Sequence, residues 1–421
     1  MYYSYTPRYD ELDYLYQKYL QGTDKRLNFF FDVKNGISGD TDYIDGNKFC
    51  SLREDNKLQH LVELVTAIIN TIAYIKGRYA TYDEEACKRL RFFYFCETGK
   101  SSYHKGIDMA YKSNRGISDY LQRDERNELR GNIVLNAIQM LNGIMNLIPN
   151  TFFFAGTYSE YDFIPYVVFK RYFEDKDIGV IFSSDKDMYQ IQSYCDKFEQ
   201  LERLTSHNNN VDWHPGRMFV NNENYVVRFM HALYKKEDFS ISDSQMNFIR
   251  NNFSFIRGIL GDPGDGIAGV PGVGMGTLMK FLDTIIDLTL PRDKYNHTIS
   301  HMTFNRFDYK YDESIFDLEK IKELLSEEKV VNPKTGKMVK RKPVPKALQS
   351  IVSPKGIERI CRNIALMDYD VMNNRRTKDM EDIDAIYNNT NKFKTVDEAY
   401  KFLNETKLWQ QCCLYRPYII F

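Results

Sequence analysis

Four apolar runs of strand length limit what this chain can fold into: LNFFFDV from Leu27, RFFYFCETG from Arg91, TFFFAGT at 151–157 and GVIFSS at 179–184. Their near-continuous phenylalanine, valine and isoleucine describes strands covered on both faces, as in a parallel sheet. Segments of helical periodicity separate them. KLQHLVELVTAIINTIAYIKGRY at 57–79 repeats apolar residues at helical spacing and ends near a glycine. SEYDFIPYVVFKRYF reads as a helix whose first turn holds Glu160, Asp162 and Pro165, since a helix start favours acids and proline. Strand and helix in alternation predict right-handed crossovers and an α/β fold, a mostly parallel Rossmann-like sheet flanked by helices.

Acids follow these strands closely. Asp32 closes the first run and Glu97 the second, Glu160 and Asp162 follow the third, and Asp185 and Asp187 follow the fourth. In parallel sheets, sites form beyond the carboxyl ends of the strands. Asp262 opens a glycine-rich turn, GDPGDGIAGVPGVGMG at 261–276, that leads into the helical segment TLMKFLDTIIDL. Taken singly, each acid is a solvated surface charge about four times in five. Seven carboxylates converging on one edge stay ionised together only when cations lie between them. Such an oxygen-rich set suits two Mg²⁺ or Mn²⁺ ions rather than zinc, and paired ions of this kind hydrolyse phosphodiesters in many nucleases.

Basic and glycine-rich segments complete the candidate chemistry. AYKSNRG at 110–116 places Lys112 and Arg115 just after the second acidic strand, where they can neutralise a phosphate; the plain alternative is an exposed basic turn. GVPGVG can bring backbone N–H groups close to a phosphate, though a structural helix cap is as common. The basic loop at 334–346 can track a nucleic-acid backbone, but a solvated loop is the commoner reading. His207, Trp213 and His214 lack cysteine or histidine partners at metal-ligand spacing and read as a structural loop.

Composition narrows the class. Lysine plus arginine, 57, nearly cancels aspartate plus glutamate, 58, so a field for a polyanion has to come from local segregation of charge. Seven cysteines with no C-x-x-C pair read as reduced thiols. No apolar run reaches the roughly 18 residues of a membrane span, and the opening MYYSYTPRYDELDYLY is unlike an export signal, so the expected location is a cytoplasm. The abundance of Tyr, Phe, Asn and Lys fits an AT-rich coding sequence and a phage host setting. Residues 2–20 read as an amphipathic helix, and 117–148 as a charged helix that becomes apolar. The segment around MFVNNENYVVRFM reads as a hairpin, 246–260 as helical, and 300–350 as an insertion with a helix at DLEKIKELLSEE.

Together the motifs resemble the family of flap endonucleases, phage 5′-exonucleases and the 5′-nuclease domain of bacterial DNA polymerase I, from about Leu27 to Asp370. FFFDVKN is similar to that family's first strand, and YKSNRG to its Y-K-x-N-R element. SEYDFIPYVV resembles E-A-D-D or E-A-E-A, and SSDKDMYQI resembles S-x-D-x-D. GDPGDGIAGVPGVG is similar to the glycine-rich helix-three-turn-helix signature, and RNIALMDYDVM to the closing helix that follows it. Departures are Glu97 for an aspartate, Phe163 for the second aspartate of E-A-D-D, and Gly266 for an asparagine; the lysine that often follows the last glycine is absent.

The resemblance implies a PIN-like fold and four segments: an N-terminal helical extension at 1–26 and a nuclease domain at 27–205 with a helical arch at about 100–135, then a helix-three-turn-helix domain at 206–375 and a tail at 376–421. It implies that Asp32, Glu97, Glu160, Asp162, Asp185, Asp187, Asp262 and Asp265 hold two metals, with K⁺ at the glycine turn, and that Lys112 and Arg115 stabilise the transition state. Arg123, Arg126 and Arg130 would contact phosphates, Tyr111 would stack on a base, and Gly269, Gly272, Gly274 and Lys280 would meet the duplex. The implied activity is cleavage of DNA with a 5′ flap or end, and of RNA–DNA hybrid at primers, by a monomer acting in phage replication or recombination. Two other readings stay open: a branched-DNA binder of the same fold with little or no catalysis, and an RNA-cleaving PIN-like nuclease, which usually lacks the glycine-rich element.

Overall fold

The computed structural model describes residues 6–33, 54–97, 102–112, 138–156, 161–203, 217–234, 241–304, 315–326, 329–331, 338–340, 343–395, 398 and 401. The chain divides into two compact units. One comprises Met1–Ser102, Asp119–Glu223 and Thr377–Phe421; the other comprises Tyr103–Ser118 and Asn224–Arg376.

The first unit is α/β, built on a mostly parallel six-stranded sheet. Its strands are β1 (Arg26–Asp32), β2 (Leu90–Glu97), β3 (Thr151–Gly156), β4 (Asp177–Phe182), β5 (Phe198–Arg203) and β6 (Arg217–Val220). They lie in the order β3-β2-β1-β4-β5-β6, parallel except for the antiparallel β5–β6 pair. The chain steps outward from β1 through β2 to β3 and then returns to the other side of β1 with β4. The strand order therefore reverses between β1 and β4, the place where open α/β sheets form ligand sites.

The phenylalanine runs fix this register. Phe29, Phe30 and Phe31 are fully buried, so both faces of β1 are covered. On one face Phe31 stacks on Tyr94 at 4.8 Å and on Phe182 at 4.6 Å, each its direct cross-strand partner. On the other, Phe30 stacks on Phe93 at 4.7 Å and Phe93 on Phe152 at 4.9 Å. Each such aromatic pair adds about 0.5–1.5 kcal/mol to the area it buries. A slip of one residue would exchange the two ladders, so the register that brings the strand-end acids level is strongly held.

Helices cover both faces. Glu54–Ala80 turns Ile68, Ile72, Ile75 and Tyr79 to the Phe29 face at i, i+4, i+7 and i+11. The other face carries Ile164–Tyr172 and the C-terminal helix Thr377–Tyr387, whose Tyr387 stacks on Phe152 at 5.0 Å and on Tyr172 at 3.7 Å. The N-terminal extension forms the helix Tyr9–Leu15 and a π-helical turn to Leu20.

The second unit is helical. Asp243–Asn251 and Phe253–Leu260 lead into a two-residue antiparallel pair, Gly261–Asp262 with Ile267–Ala268. Met275–Lys280 and Leu282–Leu288 follow the glycine turn, and Pro354–Met367 packs along Phe253–Leu260. No described helix of the chain is long and apolar enough to cross a membrane.

Several sequence expectations are corrected. The hairpin expected around 218–230 is not formed: β6 pairs with β5, and Tyr225–Tyr234 is a helix. Tyr225, Val226, Phe229 and Met230 are all buried, a spacing that a helix satisfies and an alternating strand does not. The helix after β3 begins at Ile164 with Pro165 in its first turn, so Asp162 precedes it. The helices expected at 246–260 and 277–288 each break once, at Asn252 and at Phe281. Part of the expected basic loop forms an antiparallel pair, Lys329–Val331 with Met338–Lys340. Glu160, Arg115, Arg123, Arg126 and Arg130, and most of the expected arch, lie outside the described residues, as do His207, Trp213 and His214.

Candidate functional site

In the first unit the carboxyl ends of adjacent parallel strands carry acids, as the sequence suggested. β1 ends on Asp32 and β2 on Glu97; Asp162 lies beyond β3, and Asp185 and Asp187 lie beyond β4. Asp32 is buried at 3% exposure, whereas Asp162, Asp185 and Asp187 are half-buried. The Ser183 hydroxyl donates to Asp32 Oδ2 at 3.1 Å, and its oxygen accepts the Asp185 N–H at 3.0 Å. One serine thus ties the end of β1 to the turn after β4, across the reversal of strand order. Asp185 Oδ1 in turn accepts the Asp187 N–H at 2.9 Å, capping the short helix Lys186–Ser193. Gln200, fully buried on β5, donates to the carbonyls of Ser183 and Asp185 at 2.9 Å each, so the acidic turn is held from both neighbouring strands.

The opposite edge of the sheet shows what a structural carboxylate looks like here. Asp177, fully buried, opens β4 and accepts from Arg26 Nε and Nη2 at 2.8 and 2.6 Å, from Asn28 Nδ2 at 3.1 Å and from the Glu174 N–H at 2.8 Å. Burial by itself would push its pKa up; Arg26, the Glu174 N–H, Asn28 and Arg91 outweigh it and hold the carboxyl below its ordinary range. Asp32, buried at the carboxyl edge, accepts from the Ser183 hydroxyl.

The departure at Phe163 has a packing reason. Its ring is fully buried, edge-on to Tyr161 at 6.0 Å. The position faces the core, where an ionised carboxylate would need a partner.

In the second unit, Asp262 is buried at 8% exposure between the Arg257 guanidinium, itself 3% exposed, and the Gly264 N–H at 2.9 Å from Oδ1. Asp265 accepts the Lys112 N–H on its carbonyl at 2.7 Å and the Tyr111 hydroxyl on Oδ2 at 3.4 Å. Lys112 has φ 52°, a left-handed backbone that a lysine adopts only when its surroundings fix it, and its Nζ lies 5.2 Å from the Tyr111 ring centre.

The three glycines singled out in the turn differ. A Cβ on Gly269 would lie 2.2 Å from the Leu260 carbonyl, so close backbone approach requires glycine there. Gly272 has φ 75°. Gly274 is exposed, with nothing within 4 Å of a Cβ built there. Lys280 is exposed at the end of its helix.

Sequence reasoning held Ser183 within the S-x-D-x-D match but gave it no role, and it missed Gln200, Arg257, Tyr103 and His104. Ser183 lies in the GVIFSS run, where a hydroxyl beside an acidic strand end is a usable signal; the others are visible only through long-range contacts.

No family model matches the sequence, and no curated protein matches it. The solved structures to which the chain is similar include bacteriophage T5 5′-exonuclease with divalent zinc ions, at 15% identity and a TM-score of 0.46, covering 86% of this chain and 99% of that one. They also include a bacteriophage T5 flap endonuclease pseudo-enzyme–product complex with DNA and metal ions, at 16% identity and a TM-score of 0.47, with the same shares covered.

Proposed function

We propose that this chain is a metal-dependent, structure-specific 5′-nuclease that hydrolyses phosphodiester bonds of DNA carrying a 5′ flap or end. The observation that carries the reading is the row of acids beyond adjacent parallel strands, with Asp32 and Asp185 joined through Ser183 at the reversal of strand order.

The donor set fits hard divalent cations: it consists of carboxylate oxygens at the ends of adjacent strands, one of them on the buried Asp32, which the Ser183 hydroxyl orients. Asp32, Glu97, Glu160, Asp162, Asp185 and Asp187 would hold Mg²⁺ or Mn²⁺, and the sequence resemblance adds Asp262 and Asp265. Bound there, two such ions supply water activation and charge neutralisation for phosphodiester hydrolysis. The chain's own groups bind and orient. Lys112 and Arg115 hold the charge that develops on the scissile phosphate. Arg123, Arg126 and Arg130 contact phosphates of the 5′ strand, and the turn through Gly269, Gly272, Gly274 and Lys280, with K⁺, receives the duplex backbone. Tyr111, expected from the sequence to stack on a base, is 5% exposed with its ring face against His104, so its packing is internal. On this reading the chemistry serves phage replication, primer removal or recombination, by a monomer, with RNA–DNA hybrid a further substrate.

One observation favours a second reading, a branched-DNA binder with weak or no catalysis: Arg257 already neutralises Asp262. The test is a labelled 5′-flap DNA incubated with the full chain in Mg²⁺, in EDTA, and with the Asp185→Ala, Asp187→Ala double variant. Cleavage near the junction that disappears in both controls supports the nuclease. Intact DNA that is bound sinks it in favour of the binder.

A further inference from the structure

We infer that His104 is a positioning residue for Lys112, acting through Tyr111 on a platform made by the C-terminus of the helix Pro354–Met367. The inference rests on the reading of Lys112 as a group that contacts the scissile phosphate.

The last four carbonyls of an α-helix have no donor within the helix. Two of these carbonyls in Pro354–Met367 are met by side chains from far back in the chain. The Tyr103 hydroxyl donates to the Ala365 carbonyl at 2.8 Å, and His104 Nε2 bonds the Leu366 carbonyl at 3.1 Å. A carbonyl only accepts, so Nε2 carries the proton. His104 is 1% exposed, and its ring lies face to face with Tyr111, 4.4 Å between centres at 14°, with Tyr103 edge-on at 5.1 Å.

Tyr111 is thereby held on two sides, by the histidine face and by Asp265 at its hydroxyl. Lys112 follows directly, with its left-handed backbone, its N–H on the Asp265 carbonyl and its Nζ near the Tyr111 ring. The same helix also grips the glycine turn: Arg359 Nη1 donates to the Gly269 carbonyl at 3.0 Å, and Asn363 Nδ2 to the carbonyls of Ala268 at 3.0 Å and Gly258 at 2.8 Å. One helix therefore sets the distance between the lysine and the turn that receives the duplex, and His104 is the link on the lysine side.

The test is a double-mutant cycle on the full chain. His104→Phe keeps a ring against Tyr111 and removes the N–H; His104→Gln keeps a donor and removes the stack. Each is made in the wild-type and in the Lys112→Ala background. Single-turnover cleavage of labelled 5′-flap DNA is followed in saturating Mg²⁺, flap affinity is read by fluorescence anisotropy in EDTA, and melting temperature is recorded for every variant. The expected result is a rate about tenfold lower for each His104 variant, with flap affinity unchanged, and less than about a twofold effect once Lys112 is alanine, the coupling of residues that act as one unit. Equal rate losses in both backgrounds, or losses that follow affinity or melting temperature, would overturn the inference and leave His104 a structural residue. Failure of both His104 variants to melt cooperatively overturns it in the same way. A wild-type chain that binds the flap and never cuts it overturns the nuclease reading itself, and the inference with it.

Discussion

Ser183 donates its hydroxyl to the buried carboxylate of Asp32 and accepts the Asp185 N–H on the same oxygen, so a single side chain sets the spacing of two strand-end acids. Ser183→Ala removes one partner from each, at a cost of about 1–3 kcal/mol for groups this buried. Groups that orient metal ligands from behind typically matter about 10–100-fold in metal affinity or activity. The variant should therefore need more Mg²⁺ for half-maximal cleavage, with a rate partly recovered at saturation. A Mg²⁺ titration of flap cleavage checks this, and an unchanged titration curve would mean that Asp32 and Asp185 are placed without the serine.

Asp177, at the other edge of the sheet, should matter for stability and leave metal dependence alone. Its folded pKa is depressed below 3.8, so its contribution is complete above that value and disappears as pH falls through the folded pKa. Asp177→Asn leaves the partly buried Arg26 without its bidentate partner, a loss of about 3–5 kcal/mol for a broken buried pair. Urea unfolding across acidic pH should show the wild type losing stability steeply below about pH 4, and the variant losing less over that range. Parallel acid limbs would remove Asp177 from the account.

The C-terminal segment offers a test with the opposite slope. Lys392 donates to the Thr151 carbonyl at 2.7 Å and lies 4.9 Å from the Phe152 ring, and burial pulls its pKa down to about 8 from 10.5. Between those values the unfolded chain keeps a proton that the folded chain has released, so stability rises with pH through that window. The urea midpoint of the wild type, relative to Lys392→Met, should climb from pH 8 to pH 10.5. A flat difference would show that Lys392 stays solvated.

These contrasts explain what could be read in the sequence. The runs ending in Asp32 and Glu97 were legible because parallel strands buried on both faces are apolar throughout, and the acid then stands out. β5 was not legible, because the buried Glu199 and Gln200 interrupt its apolar residues Phe198 and Leu201 and draw their hydrogen bonds from other segments. Glu199 accepts from Tyr14, Lys18 and Tyr19, and Gln200 bonds the Ser183 and Asp185 carbonyls. In VNNENYVVRFM the turn is real, but the spacing of Tyr225, Val226, Phe229 and Met230 belongs to a helix, and the asparagine-rich turn beside a β-branched pair imitates a hairpin. The caps that Tyr103 and His104 place on a helix end more than 250 residues away leave no local signature, since the acceptors are backbone carbonyls.

The glycine turn separates folding from binding at neighbouring positions. Gly269→Ala drives a methyl into the Leu260 carbonyl, 2.2 Å from where the Cβ must lie, and should cost about 3 kcal/mol, the upper end for overpacking. Gly274→Ala meets nothing within 4 Å and should cost less than about 1 kcal/mol. If the turn receives a phosphate, the added methyl at Gly274 stands between the backbone and its ligand, and flap affinity should fall about tenfold with the fold intact. Lys280→Ala should instead lower the slope of log affinity against log salt by about 1, the signature of one lost phosphate contact. Melting curves and anisotropy titrations at several salt concentrations, made on the same three variants, decide the matter. A Gly274→Ala chain that melts and binds like the wild type would leave the turn a structural element and move the duplex elsewhere on the molecule.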